Sequence, residues 1–162
     1  MFRLCFRCLP LLLVVLQVSC TTYYKNPSKD TTTHAVLTSK GTGGYFKYEV
    51  YKVERVDSVP VNYEWESVRS KKLVLTPGRH AITLRAEHSL GLNSIPHIAR
   101  EDFTLVAEPD RAYSTNGYIE GSKAVMWIED SVSRKVVTDK KKAQLHNPGP
   151  QGPPVMIFLP VG

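Results

Sequence analysis

The sequence predicts an all-β domain, an antiparallel β-sandwich of Ig-like or related type with about seven to nine short strands. Two observations favour this fold class. From residue 34 onward, short apolar segments with period-two alternation follow one another, separated by turn residues, and no apolar run shows helical spacing. Many short strands divided by Gly- and Pro-containing turns are typical of sandwiches and open barrels, of which we favour the sandwich.

Three regions divide the chain of 162 residues. Residues 1–19 have the composition of a cleaved export signal. Residues 20–33 are polar, have no apolar periodicity and predict a flexible tether. Residues 34–162 are long enough for one domain with its own core, and they contain a Pro/Gly-rich loop at 147–154.

The first region has the three parts of an export signal. Arg3 and Arg7 supply the positive start, an apolar run follows, and the small residue Ser19 precedes the expected cut. The apolar run is well short of the ~20 residues that a spanning helix needs. We therefore expect this segment to direct export and not to cross the membrane as a mature helix.

The cysteines point to a lipid anchor. Cys5 and Cys8 lie in the leader, so cleavage between Ser19 and Cys20 leaves a single thiol in the mature chain. A lone thiol cannot form an internal disulfide in an oxidising compartment, and it needs another explanation. Diacylglycerol attachment to Cys20 is the explanation that we favour over a chance cysteine.

Val18, Ser19 and Cys20 resemble the end of a bacterial lipoprotein leader. Gln17 stands where such leaders usually have Leu, so ordinary cleavage and an uncleaved anchor stay open as alternatives. The resemblance implies a lipid on Cys20. It also implies an outer-membrane location, facing the periplasm, because Thr21 is not the Asp that often retains lipoproteins at the inner membrane.

Taken in order, the alternating segments give the predicted elements of the domain. We predict strands at 35–37, 45–56, 59–61, 73–75, 80–84, 103–107, 112–119 and 124–128, with turns at 41–44, 57–58, 76–79, 108–111 and 121–122. Pro77 and Gly78 suit a type II turn, so 71–84 is predicted to be a hairpin.

The remaining segments are predicted to be irregular or to close the fold. Residues 86–98 and 140–154 are predicted loops. The apolar segment 155–159 is predicted to dock as a closing strand, with a binding segment as the alternative. Val136 and Val137 are expected to resume a strand after a bend.

Three motifs then resemble a known group. They are the Pro-Gly-x-His segment at 75–82, the strand and turn at 103–108 with Tyr113 after them, and the Trp-Ile-x-Asp motif at 127–130. In this order behind a lipobox, they resemble small uncharacterised lipoproteins of Gram-negative bacteria. The resemblance implies a β-rich periplasmic domain, and it implies no catalytic residues.

No catalytic or metal-binding set emerges from the sequence. The five histidines show no metal-ligand spacing, and we expect His80 to be structural. Glu129 and Asp130 are adjacent, so on a strand they point to opposite faces and cannot work as an acid–base pair; Asp130 is expected to cap a turn. We predict no catalytic residues, no metal, no cofactor and no enzymatic activity.

The net charge of +6 is a mild excess that does not imply nucleic acid as a partner. Tyr23 and Tyr24 are candidates for the membrane interface. Five further aromatic residues form a possible binding patch for a sugar or a partner, although we favour the interpretation that about half are core and half lie on strand surfaces. They are Tyr45, Tyr48, Tyr51, Tyr63 and Trp65.

The leading hypothesis is a non-enzymatic lipoprotein, attached to the membrane through its N-terminal lipid, that acts as a structural or interaction module of the cell envelope. An envelope protein or a glycan is the expected partner. The first alternative is a small-ligand or glycan-binding module. The second is an envelope enzyme whose site has no recognisable motif.

Overall fold

The structure, a computed structural model, describes residues 24, 34–43, 47–63, 72–91 and 94–149. These residues form ten β-strands and no helix, so nothing in the described part is a helix long and apolar enough to cross a membrane. The strands are β1 (Ala35–Thr38), β2 (Lys40–Gly43), β3 (Tyr48–Val56), β4 (Val59–Pro60), β5 (Lys72–Leu75), β6 (Gly78–Ser89), β7 (His97–Ala107), β8 (Ala112–Glu120), β9 (Lys123–Asp130) and β10 (Lys141–Gln144).

The strands form two sheets. Sheet A has the order β10-β9-β8-β1-β5, and sheet B has the order β2-β3-β6-β7 with β4 also paired to β3. The pairs are antiparallel apart from β1 and β8, which run parallel. The predicted all-β class is confirmed, and the two packed sheets make a sandwich-like arrangement with more strands than expected.

The core lies between the sheets, where alternate residues of facing strands meet. Ile82 and Leu84 of β6 and Met126 and Ile128 of β9 are all fully buried members of one cluster. Period-two alternation places such residues on one face, and removal of their apolar surface from water drives the two sheets together.

The segment β1–β2 belongs to both sheets, because the chain bends at Ser39. Buried hydroxyls satisfy the backbone at this bend. Thr115 Oγ1 accepts a hydrogen bond from Lys40 N at 2.9 Å and donates one to Tyr51 O. Ser39 Oγ accepts one from Val53 N at 3.3 Å. A strand that changes sheet must break its ladder, and these side chains replace the lost bonds.

The predicted hairpin at 71–84 is wrong. β5 pairs with β1 in sheet A, whereas β6 pairs with β3 and β7 in sheet B, so the Pro77-Gly78 turn carries the chain from one sheet to the other. Both strands turn apolar residues into the core, and they face each other across it. Pro77 and Gly78, with φ of +135° at Gly78, are compatible with either connection, so the turn residues alone did not decide between them.

Three irregular segments predicted from the sequence also need correction. Residues 41–43 are strand β2 and not a turn; Gly43 has φ of +102°, and a Cβ there would lie 2.8 Å from Tyr48 Cα. The two ends of 86–98 belong to strands: 86–89 complete β6 and 97–98 begin β7, and Glu87 pairs with Lys52 and Arg85 on the outer face of sheet B. Residues 141–144 form β10, a lysine-rich edge strand of the kind that resists edge-to-edge pairing.

Other turns agree with their predictions. Asp57 and Ser58 both have positive φ, 49° and 68°, as a two-residue type I′ connection to the short edge strand β4 requires. Gly121 and Ser122 join β8 to β9. Asp130 caps the following turn: its Oδ1 accepts hydrogen bonds from Val132 N at 3.0 Å and from the backbone and hydroxyl of Ser133.

The structure describes one position of the predicted tether at 20–33, Tyr24, and shows how it contacts the domain. Tyr24 N donates to Pro60 O, and Tyr24 Oη donates to Val74 O, both at 2.7 Å. Tyr24 thus joins β4 of sheet B to β5 of sheet A, and burial, followed by the charge of Asp57, raises the pKa of its hydroxyl. The rest of the predicted tether lies outside the described residues, and the membrane-interface role of Tyr24 stays a prediction. The leader, Tyr23 and the segment 155–159 lie outside the described residues.

Candidate functional site

A bulge beside β9 brings polar, charged and aromatic side chains together on the outer face of sheet A. Val136 pairs with Glu129, and Lys141 pairs with Met126. Two residues of β9 therefore face four residues, 137–140, on the returning segment. Bulges re-aim side chains, and this one turns Lys140 over the outer face of sheet A.

Eight residues around this bulge make up what we term the Trp127 cluster. They are Lys40, Ser114, Asn116, Tyr118, Trp127, Glu129, Arg134 and Lys140. The strand register places Asn116 opposite Trp127 and Ser114 opposite Glu129, and opposite residues share a face. This is the outer face, because the neighbouring Met126 and Ile128 point into the core.

Glu129 is the centre of the Trp127 cluster. Its side chain is buried, and its Oε2 accepts hydrogen bonds from Asn116 Nδ2 at 2.8 Å and from Trp127 Nε1 at 3.1 Å. Asn116 Oδ1 in turn accepts from Lys40 Nζ at 3.1 Å, which fixes the orientation of the amide. One carboxylate oxygen is thus held rigidly by an indole and an amide.

The other carboxylate oxygen is not satisfied in the same way. Glu129 Oε1 lies 3.0 Å from Arg134 Nη1, an ion-pair distance, yet it is buried and accepts no hydrogen bond. The neighbouring Ser114 Oγ is also buried without a hydrogen-bond partner. Buried polar atoms are nearly always paired, so two unpaired atoms on adjacent strands mark a place where a further polar group fits.

Cations and aromatic rings surround this carboxylate. Lys140 Nζ lies 4.3 Å from the centroid of the Trp127 ring. Tyr118 packs edge-on against Trp127 at 6.0 Å between centroids, and 45% of Tyr118 is exposed, compared with 8% of Trp127. Three cations accompany one carboxylate in the cluster. The exposed parts are therefore a tyrosine ring and positively charged side chains.

The surroundings of Glu129 stabilise its ionised form. Burial acts to raise the pKa of Glu129, but the hydrogen bonds from Asn116 and Trp127, together with the charges of Arg134 and Lys40, outweigh burial and lower the pKa below its ordinary value. Glu129 is therefore ionised at neutral pH. It acts as a fixed acceptor and is poorly suited to proton transfer near pH 7.

Of the five residues of the predicted aromatic patch, the structure describes Tyr48, Tyr51 and Tyr63. Tyr51 is 3% exposed, and its ring packs on Gly117 in the core. Tyr63 packs against the core, its Oη donates to Val53 O at 2.8 Å, and burial raises its pKa to about 12. Tyr48 is half-buried on β3. Tyr45 and Trp65, as well as Ser19 and Cys20, lie outside the described residues. The favoured interpretation, with part of the set in the core, agrees with these positions.

His80 has a structural environment. Its Nδ1 lies 2.7 Å from Asp57 Oδ2, and its Nε2 lies 2.8 Å from Thr76 O, so the buried ring joins two turns. Burial acts to raise the pKa of Asp57, but the bonds from His80 and Ala81 N outweigh it and lower that pKa. Within the described ranges, no group of three or more His, Cys, Asp or Glu residues is placed to hold a metal ion.

The Trp127 cluster was not among the sequence-predicted sites, although the sequence contains a signal for it. The two-residue turn at Gly121-Ser122 sets the register of β8 against β9. Counting back from this turn places Asn116 beside Trp127, and period-two alternation places Glu129 on the same face. The bulge that brings Lys140 over the indole has no comparable local signal.

Comparisons with known proteins provide no relative: no family model, curated protein or solved structure matches this chain.

Proposed function

We propose that this chain is a lipoprotein of the bacterial cell envelope, anchored through a lipid on Cys20, with a non-enzymatic interaction domain. The proposed location is the outer membrane, with the domain facing the periplasm. Resemblance to small Gram-negative lipoproteins and the Ig-like type of sandwich are part of the same proposal. The main support is the leader, which ends at the lone cysteine of the mature chain.

The position of Tyr24 supports an anchored domain. Tyr24, four residues after Cys20 in the sequence, is hydrogen-bonded to both sheets. The roles of the buried acids support a non-enzymatic domain. Asp130 caps a turn, and Glu129 is held by Trp127 and Asn116. Each of these carboxylates is engaged in maintaining the structure.

The test is the intact mass of protein extracted from membranes, compared with a Cys20→Ala variant. We expect a mature N-terminus at Cys20 carrying a lipid mass, which is absent from the variant. An unmodified chain that still contains residues 1–19, or cleavage elsewhere without lipid, would contradict the anchor. Thr21→Asp provides a matched control for sorting, because we expect it to retain the lipid and move the protein to the inner membrane.

A second candidate function is glycan binding at the Trp127 cluster. The supporting observation is the pair of buried, unpaired atoms Ser114 Oγ and Glu129 Oε1, beside the exposed ring of Tyr118. Sugar hydroxyl groups both donate and accept hydrogen bonds, so one hydroxyl can satisfy a serine and a carboxylate together. The Arg134 side chain that covers Glu129 is 58% exposed and can move aside.

Tryptophan fluorescence tests this second function. Trp65→Phe leaves Trp127 as the sole reporter, since the chain has two tryptophans. Titration with soluble peptidoglycan fragments is expected to give a saturable change in emission, which Tyr118→Ala and Glu129→Gln weaken. Val106→Ala, at an exposed position on β7, serves as the control. No change on titration, or equal titration curves in all variants, would contradict glycan binding at this cluster.

A further inference from the structure

The attachment of Tyr24 restricts how far the domain can stand from its anchor. Tyr24 contacts Pro60 in β4 and Val74 in β5, at the open side between the two sheets. A chain spans at most about 3.6 Å per residue, so the four residues from Cys20 to Tyr24 reach about 14 Å. This inference depends on the proposed lipid at Cys20.

Tyr24 docks close to one end of the sandwich, which we term the near end. The turns at 57–58, 76–77, 108–111 and 131–134 define it. The strand pairs Ala35–Leu75 and Tyr113–Asp130 place the ends of β5, β1, β8 and β9 side by side there. The turn Gly121-Ser122 lies at the opposite end of β8 and β9, which we term the far end.

The turn 131–134 at the near end carries an exposed apolar side chain with basic neighbours, whereas the turn 108–111 at the same end carries the exposed residues Glu108, Asp110 and Arg111. Val132 is 85% exposed in the turn after β9, and Arg134 and Lys135 follow it in the same exposed segment. Three strand spacings of about 4.8 Å separate β5 from β9, so Val132 lies on the order of 15 Å from the Tyr24 edge. An apolar side chain flanked by cations suits the interface of an anionic bilayer.

We propose that the near end of the sandwich rests on the membrane that holds the lipid, with Val132 at the headgroup layer and the far end directed away. The occupant of this surface is the bilayer itself. The short reach from Cys20 brings the near end to the membrane, and the Tyr24 contacts fix the point at which the anchor segment meets the domain. The strands then run away from the membrane surface, and the outer faces of both sheets remain accessible to partners.

Site-specific labelling tests this orientation on the lipidated full-length mature protein. The lipid occupies Cys20, so a single introduced cysteine can be labelled selectively. Val132→Cys reports on the near end and Ser122→Cys on the far end, both at exposed turn positions. Each labelled protein is placed in phosphatidylethanolamine–phosphatidylglycerol vesicles containing a headgroup-attached quencher. We expect several-fold stronger quenching at position 132 than at position 122.

Tyr24 variants supply the control. Tyr24→Ala removes the ring and the hydroxyl bond to Val74, and it is expected to reduce the difference in quenching between positions 132 and 122 while the lipid mass is unchanged. Tyr24→Phe keeps the ring and should retain most of that difference. Equal quenching at both positions in a protein that carries the lipid would overturn the orientation alone. A protein without lipid mass would overturn the anchor and the orientation with it.

Discussion

The two outer faces of the sandwich accommodate buried charge differently. On sheet B, five side chains from three adjacent strands form what we term the ion-pair ladder: Lys52, Glu54, Arg85, Glu87 and Arg100. Each carboxylate in the ladder contacts two cations. In the Trp127 cluster on sheet A, Glu129 has one oxygen fixed by Trp127 and Asn116 and the other without a hydrogen bond.

The two faces therefore differ in how completely their buried polar atoms are paired. In the ladder, Glu87 Oε1 lies 2.6 Å from Lys52 Nζ and 2.8 Å from Arg85 Nη2. Of the buried ladder atoms, Arg85 Nε alone lacks a hydrogen-bond partner. In the Trp127 cluster, Ser114 Oγ and Glu129 Oε1 on adjacent strands both lack a hydrogen-bond partner, although Arg134 Nη1 lies 3.0 Å from Glu129 Oε1. A ligand can add hydrogen bonds in the cluster, whereas it would have to displace ion pairs in the ladder.

Removal of one carboxylate from each face gives the largest expected contrast. Glu87→Ala leaves Lys52 and Arg85 without their shared partner, with side chains only 14% and 25% exposed, so we expect a loss of about 2–4 kcal/mol in the free energy of unfolding. Glu129→Ala should cost somewhat less, about 1–3 kcal/mol: it leaves Trp127 Nε1 and Asn116 Nδ2 without their acceptor, but the cation Arg134 is 58% exposed and becomes hydrated. Urea unfolding of both variants measures the contrast. Equal losses would contradict the distinction between the faces.

Thr115 links the sheets that carry the two faces. Thr115→Val preserves the shape of the side chain but leaves Lys40 N without its acceptor and Tyr51 O without its donor, so we expect a loss of about 1–3 kcal/mol in unfolding free energy. Thr104→Val, at an exposed position of β7, is the control, with an expected change within about 0.5 kcal/mol. Similar unfolding midpoints for the two variants would show that the Thr115 hydroxyl does not hold the bend.

Acid should affect the Trp127 cluster through Glu129. The pKa of Glu129 is lower in the folded chain than in the unfolded chain, where a glutamate titrates near about 4.3. Its ionised form therefore stabilises the fold above that unfolded pKa, and the contribution is lost as pH falls through the folded pKa. We expect unfolding free energy to fall less steeply below pH ~4 in Glu129→Gln than in the unmodified protein. Parallel pH profiles would contradict this contribution; Asp57 and Asp130 retain their own acid dependence in both proteins.

The smallest expected effect concerns the lysine of the bulge. Lys140→Ala removes the cation above the Trp127 ring, with an expected loss of about 0.5–1 kcal/mol and an altered Trp127 emission in the Trp65→Phe background. Lys142→Ala breaks only an exposed pair with Glu120, so its emission and stability should stay near those of the parent. Unchanged emission in Lys140→Ala would show that Lys140 does not stay on the indole in solution.

Local patterns in the sequence predicted local structure well. The alternation around β3, the turn at Asp57-Ser58 and the β8–β9 hairpin at Gly121-Ser122 are each specified within a few neighbouring residues. Local patterns do not determine the sheet to which each strand belongs. Pro77 and Gly78 permit a hairpin or a crossing between sheets, and the choice depends on partners such as β1 and β3, far away in the sequence.

Only part of the candidate site could have been predicted from the sequence. Trp127 and Glu129 share a strand face, which period-two alternation gives directly. The position of Lys140 depends on how two extra residues are accommodated beside β9, and that is decided by the surrounding fold. Tyr51 was expected to contribute to a surface patch, but it lies in the core because Gly117 opposite it leaves room for its ring.

The bend at Ser39 affects the order in which the strands can pair during folding. Residues 35–43 contribute to both sheets, and β1 completes its place by pairing in parallel with β8, so Val36 meets Ala112 across most of the domain sequence. The chain is synthesised from its N-terminus, so β1 can pair with β5 well before its other partner, β8, has been made. Loop closure over such a distance slows folding. β1 therefore remains without its β8 partner until most of the domain has been synthesised.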